Sequence, residues 1–481
     1  MQFENVSTLP LTKATLIAIA LSAIIPATLS PEAEANSLCR ITVVEKETGW
    51  PVPLVELKTV HHVRFVSDNA GVIAFDLPEL MGRQTWFTVS APGYEVPQDG
   101  FGNRGVCLTP EAGDEIRVEL SRTCIAKRLG RLTGSGLFAE SQKLGSATDH
   151  SKSLILGCDS VQNAVHRGKM FWVWGDTSIA RYPLGIFNAT GATTPKMPFD
   201  TFEPPIQPNL NYFRDDKGAA RAVANMEGPG PTWLDGFISL PDKSGRARLV
   251  ASYSKIGGPL EAYERGFCVW NDDTEEFEHL KTFWTKSAES PESPPTPSGH
   301  PTVVEQGDRK WVFFGNPLPI LRCPATFEDW QDPATWEQLK SQEQIPAVDG
   351  EQITPHSGSI AWNDFRKRWV TVFMQDLGKP SPFGELWYAE ADDPMGPWGP
   401  AVKILSHENY TFYNPRLHPE FTPRQSPILL FEGTYTQTFS SRQEPTPRYD
   451  YNQILYRLDL DDPQLAEAQA KSSERSDPNS N

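Results

Sequence analysis

Residues 158–177 read CDSVQNAVHRGKMFWVWGDT, a small polar cluster that runs into two β-type stretches. Four more segments repeat this pattern, at residues 233–254, 299–316, 356–375 and 413–433. Their leading residues, Asp159, Asp235, His300, His356 and Asn414, are 76, 65, 56 and 58 residues apart, which is enough for one four-stranded antiparallel sheet per step. Five such sheets in series predict a five-bladed β-propeller.

The geometry of a propeller brings these leading residues together. Each innermost strand starts at one face of the disc, and each second strand returns to that face, so both sets of residues border one axial funnel. The ends of the second strands add Asp176, Asn316, Gln375 and Glu432. Two rings of polar groups around one cleft are typical of a small-molecule or sugar site.

Residues 36–121 have a pattern of their own. Stretches such as CRITVVE, GVIAFDL and IRVELSR alternate in the β sense and are separated by turn sequences. They predict a small antiparallel β-sandwich of about seven strands. TGWPVPLVELKTV followed by SDNAGVIAFDLPEL resembles carboxypeptidase-regulatory or transthyretin-like domains, which implies a module that carries no chemistry and is dispensable for activity.

The predicted fold class is therefore all-β, with the sandwich followed by the propeller over residues 122–460. Residues 126–132 are expected to form a short helix before the chain enters the propeller as an outer strand. YDYNQILYRLDL, from residue 449, is expected to complete a sheet and close the ring, which removes an exposed edge.

The N-terminal residues predict export, and the C-terminal residues predict a disordered tail. Residues 1–35 carry a lysine, an apolar run and an Ala-Glu-Ala site, which is the pattern of a secretory signal peptide, with an uncleaved anchor as the alternative. Residues 461–481 are polar and lack aromatic residues, so a disordered tail is expected. We expect the protein to be secreted, periplasmic or at the cell surface.

The net charge and the cysteine spacing limit which partners and cofactors the sequence favours. A net charge of −17 disfavours nucleic acid and anionic membranes, whereas a neutral polysaccharide is indifferent to it. Uronate or sulfate substrates would need a local basic patch. None of the six cysteines forms a CxxC pair, which argues against zinc. Cys39 with Cys107 is the expected disulfide, since both belong to the N-terminal domain. No cofactor is expected, with a structural calcium or an axial ion left open.

Carboxylates carry the catalytic hypothesis. Glycoside hydrolysis needs one carboxylic acid to protonate the leaving oxygen and a second carboxylate to activate water or to attack. Asp159, Asp235, Asp176 and Glu432 could share the funnel, and crowding of like charges would raise the pKa of at least one of them. The alternative for each is a turn-capping role.

The neighbouring side chains suggest substrate binding. His300 and His356 are expected to orient substrate, with metal binding or proton transfer as alternatives. Trp174, Trp233 and Tyr413 are candidates for stacking on sugar rings, and core packing between blades is the alternative for each.

Several motifs resemble a known group. WGDT at residues 174–177, GPW at residues 396–398 and the five leading segments look like the five-bladed propeller glycoside hydrolases of the arabinanase, xylosidase and fructosidase type. The run GELWYAEADDPMGPW is also similar to a set of exported bacterial proteins that pair this propeller with an N-terminal sandwich.

The resemblance implies roles for individual residues. Asp159 would be the base and Asp235 the aspartate that modulates a pKa. The group has its acid glutamate at a later inner-strand start, where this chain has His300, His356 and Asn414. The acid would then be Glu432 or Glu385.

The sequence thus predicts an exported carbohydrate-active protein that hydrolyses glycosidic bonds of a polysaccharide or oligosaccharide. One alternative is a non-catalytic sugar-binding or cell-surface propeller. The other is a polysaccharide lyase in which Tyr410 or Tyr413, with His356, abstracts a proton next to a uronate. Arg416 or Arg448 in the cleft would favour the lyase.

Overall fold

A computed structural model describes residues 37–147 and 154–469. Within these ranges no helix is long and apolar enough to cross a membrane. The predicted signal peptide at residues 1–35 lies outside the described residues.

The N-terminal part consists of two four-stranded sheets. Its strands are β1 (Cys39–Glu45), β2 (Glu56–Thr59), β3 (Arg64–Val66), β4 (Val72–Phe75), β5 (Thr85–Ser90), β6 (Tyr94–Glu95), β7 (Gly105–Leu108) and β8 (Glu115–Arg122). The orders are β4-β1-β8-β6 and β3-β2-β5-β7, and Ile41 and Val118 of one sheet share a core with Leu57 and Phe87 of the other. The expectation of a wholly antiparallel arrangement is wrong for one pair, because the first and last strands lie side by side and β1 runs parallel to β8.

The remaining elements follow in chain order. From residue 127 to residue 212 they are β9 (Lys127–Arg131), α1 (Ala139–Lys143), β10 (Ile155–Cys158), β11 (Gln162–His166), β12 (Lys169–Trp174), β13 (Thr177–Ile179), β14 (Tyr182–Ile186), β15 (Thr190–Pro195) and β16 (Asn211–Tyr212). From residue 232 to residue 338 they are β17 (Thr232–Pro241), β18 (Ala247–Gly257), β19 (Glu261–Asn271), β20 (Glu276–Thr285), β21 (Thr302–Gln306), β22 (Arg309–Gly315), β23 (Pro319–Pro324), α2 (Phe327–Trp330), a 3₁₀ helix (Pro333–Thr335) and β24 (Glu337–Gln338). The last are β25 (Ile345–Pro346), β26 (Gln352–Ile353), β27 (Pro355–Asn363), β28 (Arg368–Gln375), β29 (Glu385–Ala391), β30 (Val402–Ser406), β31 (Thr411–Leu417), β32 (Ile428–Thr436), β33 (Asn452–Asp459) and a 3₁₀ helix (Pro463–Gln469).

Five four-stranded antiparallel sheets form the blades of the predicted propeller. Their orders are β11-β12-β15-β16, β17-β18-β19-β20, β21-β22-β23-β24, β27-β28-β29-β30 and β31-β32-β33-β9. First strands of neighbouring blades lie against each other, as β11 does with β17 and β27 with β31, so the first strand of each blade is the inner one.

The last blade closes the ring with a strand from the start of the propeller. β9 pairs with β33 and becomes the outermost strand of this blade. The expected helix at residues 126–132 is therefore wrong, because the backbone groups of Lys127–Arg131 bond to β33 instead of to each other. The expectation of an outer strand from this region is confirmed.

A closed circuit of hydrogen bonds links all five blades around the axis. Each bond joins a residue at or near one predicted blade start or second-strand end to its counterpart in the next blade. The donor and acceptor pairs are Gln162 Nε2 to Asp235 Oδ1 (3.1 Å), Gly299 N to Asp235 Oδ1 (2.8 Å), Gly358 N to Asn316 Oδ1 (2.8 Å), Asn414 N to Ser357 Oγ (3.2 Å) and Asn414 Nδ2 to Ser160 Oγ (2.7 Å). The five predicted starts thus surround one axis.

Polar contacts join the N-terminal sheets to the last blade. The Arg128 guanidinium is buried and donates to the carbonyl of Pro53 at 2.9 Å. Asn69 exchanges two 2.9 Å hydrogen bonds with the backbone of Arg131. Since each contact satisfies a buried polar group, the two parts are packed as one body at this seam.

Two further expectations are corrected. A disordered tail was expected after residue 461, but the chain continues into the 3₁₀ helix Pro463–Gln469. Leu465 and Ala468 of this helix are buried, so the chain stays packed there. Residues 470–481 lie outside the described part. The Cys39–Cys107 disulfide is also wrong, because both thiols are free, with Cys39 buried on β1 and Cys107 exposed on β7 of the other sheet.

Candidate active site

A cavity of about 600 Å³ opens at the centre of the propeller face. This volume lies within the range of about 300–1,000 Å³ that small-molecule sites occupy. Among the residues predicted to border the funnel, those that line it are Asp159, Asp176, Asp235, Trp233, His300, Asn316, Tyr413 and Asn414. The cavity therefore gathers three carboxylates from the first two blades.

A small extra sheet positions Asp159 and Asp176. β10, β13 and β14 pair in the order β10-β13-β14, and Cys158 is the partner of Thr177. One residue further, the amide of Asp159 donates to the carbonyl of Asp176 at 3.1 Å, and the amide of Gly175 donates to the carbonyl of Asp159 at 3.0 Å. The backbone thus holds both carboxylates side by side.

Gly175 makes room for the Asp159 carboxylate. A Cβ atom built on Gly175 would lie 2.4 Å from Asp159 Oδ1, which is far inside van der Waals contact. The close approach of Oδ1 to this backbone requires glycine at position 175.

Two tyrosine hydroxyls hold the Asp159 carboxylate. Tyr413 donates to Oδ2 at 2.7 Å and Tyr451 donates to the same oxygen at 2.8 Å. Oδ1 is buried and has no hydrogen-bond partner among the described residues. Burial raises the pKa of Asp159, and the two hydroxyls oppose that shift because they stabilise the charged form.

Asp176 is the better proton carrier of the pair. Its Oδ2 lies 3.4 Å from the Tyr451 hydroxyl, and its buried Oδ1 has no partner in the described part of the chain. Burial, and next the charge of Asp159, raise the pKa of Asp176 to about 7, while contacts with the Trp233 and Tyr451 side chains act in the opposite direction. Since Asp159 has two short hydroxyl contacts and Asp176 has one long one, the first proton taken up resides on Asp176.

Asp235 anchors the second side of the cavity. Its Oδ1 accepts hydrogen bonds from Gln162, Gly236 and Gly299 at 3.1, 2.9 and 2.8 Å. Burial raises the pKa of Asp235 to about 6, while the backbone amides of Gly236 and Gly299 and the nearby Arg265 act in the opposite direction. Arg265 also lines the cavity.

His300 faces the cavity as a neutral ring. Burial, with the positive charge of Arg416 as the second cause, lowers the pKa of His300 well below its ordinary value. Its Nδ1 is buried and has no partner among the residues that the structure describes. A neutral imidazole with an unused nitrogen can form a hydrogen bond with a substrate hydroxyl.

Glu432 does not lie at the funnel, so the prediction that it is the catalytic acid is wrong. β32 continues to Thr436, so Glu432 lies in the middle of the strand and is fully buried, with Oε1 2.8 Å from His418 Nε2. Asn163 Nδ2 contacts His418 Nδ1 at 2.9 Å, and Arg416 Nε donates to Asn163 Oδ1 at 2.7 Å. Because Arg416 can only donate, this chain of bonds places the His418 hydrogen on Nε2, facing Glu432. Burial raises the pKa of Glu432 to about 8.

The other predicted site residues also lie outside the cavity. Glu385 begins β29, is buried and accepts from Ser406 Oγ at 2.7 Å. Trp174 is buried and stacks on Trp172, so it belongs to the core. His356 is exposed with its ring against Phe383, and Arg448 forms an ion pair with Glu140 of α1. None of the four lines the cavity that the structure describes.

Tyr451, Gln162 and Arg265 line the cavity and were not predicted from the sequence. Tyr451 precedes β33, so the loop that carries it reaches the same propeller face as Tyr413. Arg265 pairs through β18 with Trp233, since Ser254 is the partner of both residues. Pairing the strands of the second blade residue by residue would have placed Arg265 level with Trp233. Tyr451 has no sequence signal beyond its aromatic ring.

Among the described residues, no group of three or more His, Cys, Asp or Glu side chains is placed to hold a metal ion.

No protein-family model and no curated protein match the chain. Solved structures do match. Similar chains include an exo-β-1,3-galactanase from Phanerochaete chrysosporium with galactose (8% identity, 63% of this chain and 61% of that one, TM-score 0.35) and an exo-1,5-α-L-arabinanase from a bovine ruminal metagenomic library (9%, 63% and 93%, 0.37). Another is an N-acetylgalactosamine deacetylase from F. plautii in complex with blood group B trisaccharide (10%, 69% and 94%, 0.37). This chain spans less than two thirds of the galactanase.

Two of these structures, the galactanase and the arabinanase, bear the names of glycoside hydrolases, the class that the sequence motifs resemble. At these identities and TM-scores the matches carry no argument about the reaction. The five-bladed architecture rests on the strand pairing of this chain.

Proposed function

We propose that this protein is an exported glycoside hydrolase whose site is the axial cavity. The observation that supports this proposal best is that Asp159 and Asp176 line one open cavity and contact the same tyrosine hydroxyl. Even on a straight line through that hydroxyl, Asp159 Oδ2 and Asp176 Oδ2 lie closer than about 6.5 Å, so both carboxylates can reach one glycosidic bond.

Asp176 is the proposed acid. It is protonated up to a pH of about 7 and can give its proton to the leaving glycosidic oxygen. Asp159, which keeps its charge through the Tyr413 and Tyr451 hydroxyls, is the proposed base of the pair. Asp235 lies at the next blade start and tunes the charge of the cavity.

A neutral sugar suits this cavity better than an acidic one. Among the described residues that line the cavity, three carboxylates face one arginine, Arg265, so a uronate or sulfate group would meet net repulsion. Arg416 and Arg448, whose presence would favour a lyase, do not line the cavity. Trp233 supplies an aromatic face for a sugar ring, and His300 and Asn414 supply hydrogen bonds.

Export, and hence a secreted, periplasmic or cell-surface location, is proposed from the sequence pattern of residues 1–35. The proposed partner is a carbohydrate, with no nucleic acid, membrane or cofactor involved.

A screen of neutral and uronate-containing polysaccharides tests the proposal. We expect release of reducing ends from a neutral polysaccharide, and loss of that release in Asp159→Asn and Asp176→Asn variants. A product that absorbs in the ultraviolet because it contains a new double bond would establish the lyase. Binding of a sugar without any cleavage would establish the non-catalytic propeller.

A further inference from the structure

Asp159 lines the cavity, but both oxygens of its carboxylate are already buried or hydrogen-bonded. Oδ2 already accepts two hydroxyl hydrogens, from Tyr413 at 2.7 Å and from Tyr451 at 2.8 Å. Oδ1 is buried and packs so close to Gly175 that a Cβ atom there would lie 2.4 Å away. In this arrangement neither oxygen is free to take a proton from a water molecule at the substrate.

The Tyr451 hydroxyl lies in the cavity between the two carboxylates, where a group that takes a proton from water is needed. It lies in the loop before β33, at φ +57°, and its side chain lines the cavity. Its hydroxyl is 2.8 Å from Asp159 Oδ2 and 3.4 Å from Asp176 Oδ2, so it separates the two carboxylates. The single hydrogen goes to the nearer, ionised Asp159. The Tyr413 hydroxyl also interacts with that of Tyr451, and because the Tyr451 oxygen has two lone pairs, one stays free to accept a hydrogen from water.

We propose that the Tyr451 hydroxyl is the catalytic group that contacts the attacking water, and that Asp159 acts through it. This proposal rests on the hydrolase function proposed above. As the water oxygen bonds to the anomeric carbon, the water proton passes to Tyr451 Oη and the hydrogen of Tyr451 passes to Asp159 Oδ2. The glycosidic bond breaks, and its oxygen takes the proton of Asp176. Tyr451 is neutral before and after the step, while one proton has moved to Asp159 and one has left Asp176.

The same hydroxyl can restore the site. After the reaction Asp159 carries a proton and Asp176 carries a charge, and both carboxylates remain in reach of Tyr451. Transfer of the Asp159 proton to Tyr451, and of the Tyr451 hydrogen to Asp176, regenerates the starting state without exchange with bulk solvent.

Tyr413 provides a matched control. It donates to the same oxygen of Asp159 at nearly the same distance, but Asp176 is not among its hydrogen-bond partners. Tyr413→Phe and Tyr451→Phe therefore remove the same stabilisation from Asp159, and only the second removes the group between the carboxylates.

The test compares kcat and kcat/KM of the wild type, Tyr451→Phe, Tyr413→Phe and Asp159→Asn on the polysaccharide that the screen identifies. We expect Tyr451→Phe to lose about 10²–10⁴-fold in kcat, as much as Asp159→Asn, and Tyr413→Phe to lose about tenfold at most. Equal melting temperatures must show that all variants are folded. In mixtures of H₂O and D₂O the wild-type rate should depend on the deuterium fraction with the curvature of several protons in transfer, and the residual rate of Tyr451→Phe should depend on it linearly.

A Tyr451→Phe variant that keeps its activity within a few-fold, or gains activity, would show that Asp159 reacts directly and would overturn the inference alone. Equal losses in both tyrosine variants would also overturn it, because they would reduce Tyr451 to a holder of Asp159. A wild type that cleaves none of the polysaccharides would instead overturn the hydrolase proposal, and this inference with it.

Discussion

At the scale of single residues, the chemistry of the cavity depends on which carboxylate holds a proton near neutral pH. Asp159 and Asp176 are held side by side by backbone bonds, yet their hydroxyl partners differ, with two short hydroxyl contacts to Asp159 and one long hydroxyl contact to Asp176. Two carboxyl groups this close do not both ionise easily, because the two negative charges repel each other. The difference in hydrogen bonding therefore assigns the proton to Asp176.

This assignment predicts the basic limb of the pH profile. The pKa of Asp176 is raised to about 7, so an acid at this position is active below that pH and is lost as the pH rises through it. We expect kcat/KM to fall above a pH of about 7. In Asp176→Asn, kcat should be about 10²–10⁴-fold lower and this limb should be absent. A pH–rate profile of both proteins checks the result, and an unchanged limb in the variant would assign the acid to another residue.

Gly175 offers a test of the geometry around Asp159. Gly175→Ala places a methyl group 2.4 Å from Asp159 Oδ1, so the carboxylate must move away from its tyrosine partners. We expect the activity to fall at least tenfold and the free energy of unfolding to drop by about 1–3 kcal/mol. Gly100→Ala is the control, because a Cβ there has nothing within 4 Å. Equal activity in the two variants would mean that the position of Asp159 is not critical.

At the scale of elements, the repeat predicts the blades because each contains a polar start and two alternating stretches, which are local features of the sequence. The sequence does not give the residue at which a strand ends. Glu432 was expected at the end of a second strand, but β32 continues for four more residues and takes its side chain into the core. Trp174 is the last residue of β12, yet its ring stacks on Trp172 inside the blade.

Other parts of the site could not be predicted because they depend on contacts between distant residues. Tyr451 reaches Asp159 across 292 residues of sequence, and Asn414 reaches Ser160 across 254. Conversely, Asp159, Asp235 and His300 were found because blade starts converge on the axis in any propeller. The acid was assigned to a glutamate by resemblance, and the structure offers Asp176 in its place.

The buried Glu432 on β32 predicts a dependence of stability on pH. Its folded pKa is raised to about 8, above the ordinary value of 4.5, so the native state binds the proton more tightly than the unfolded state. The stability that it contributes is complete below a pH of about 4.5 and is lost as the pH rises through about 8. We expect the free energy of unfolding of the wild type, relative to Glu432→Gln, to fall between pH 5 and pH 8 by on the order of a few kcal/mol. Denaturant titrations at several pH values check this, and parallel curves would contradict it.

At the scale of the whole molecule, the N-terminal sheets pack against the propeller and contribute to its stability. The sequence suggests that they carry no chemistry, and all the cavity residues do follow residue 150. Yet the buried guanidinium of Arg128 has a hydrogen-bond acceptor in Pro53, and Leu54 and Val66 belong to the same apolar cluster as Phe431 and Tyr456 of the last blade. The N-terminal sheets thus cover the seam at which the propeller closes.

Removal of these sheets should destabilise the propeller. A chain that starts at Thr123 lacks the Pro53 and Pro92 carbonyls that accept from the buried Arg128 guanidinium, lacks the two hydrogen bonds of Asn69 with the Arg131 backbone, and exposes the apolar cluster. We expect its free energy of unfolding to be lower by several kcal/mol, on the order of the cost of removing acceptors from one buried charged group together with the lost backbone hydrogen bonds. Thermal unfolding of the two chains measures the difference. A truncated chain that melts within a few degrees of the whole one would show that the seam closes by itself.

The central claim is that the funnel aspartates, and not the buried glutamates, carry out glycoside hydrolysis. The most direct measurement is kcat/KM on the identified polysaccharide for Asp159→Asn, Asp176→Asn, Glu385→Gln and Glu432→Gln, with melting temperatures to confirm folding. We predict losses of about 10²–10⁴-fold for the two aspartate variants and changes of a few-fold at most for the folded glutamate variants. Full activity in both aspartate variants, or loss of activity in a folded glutamate variant alone, would contradict the account.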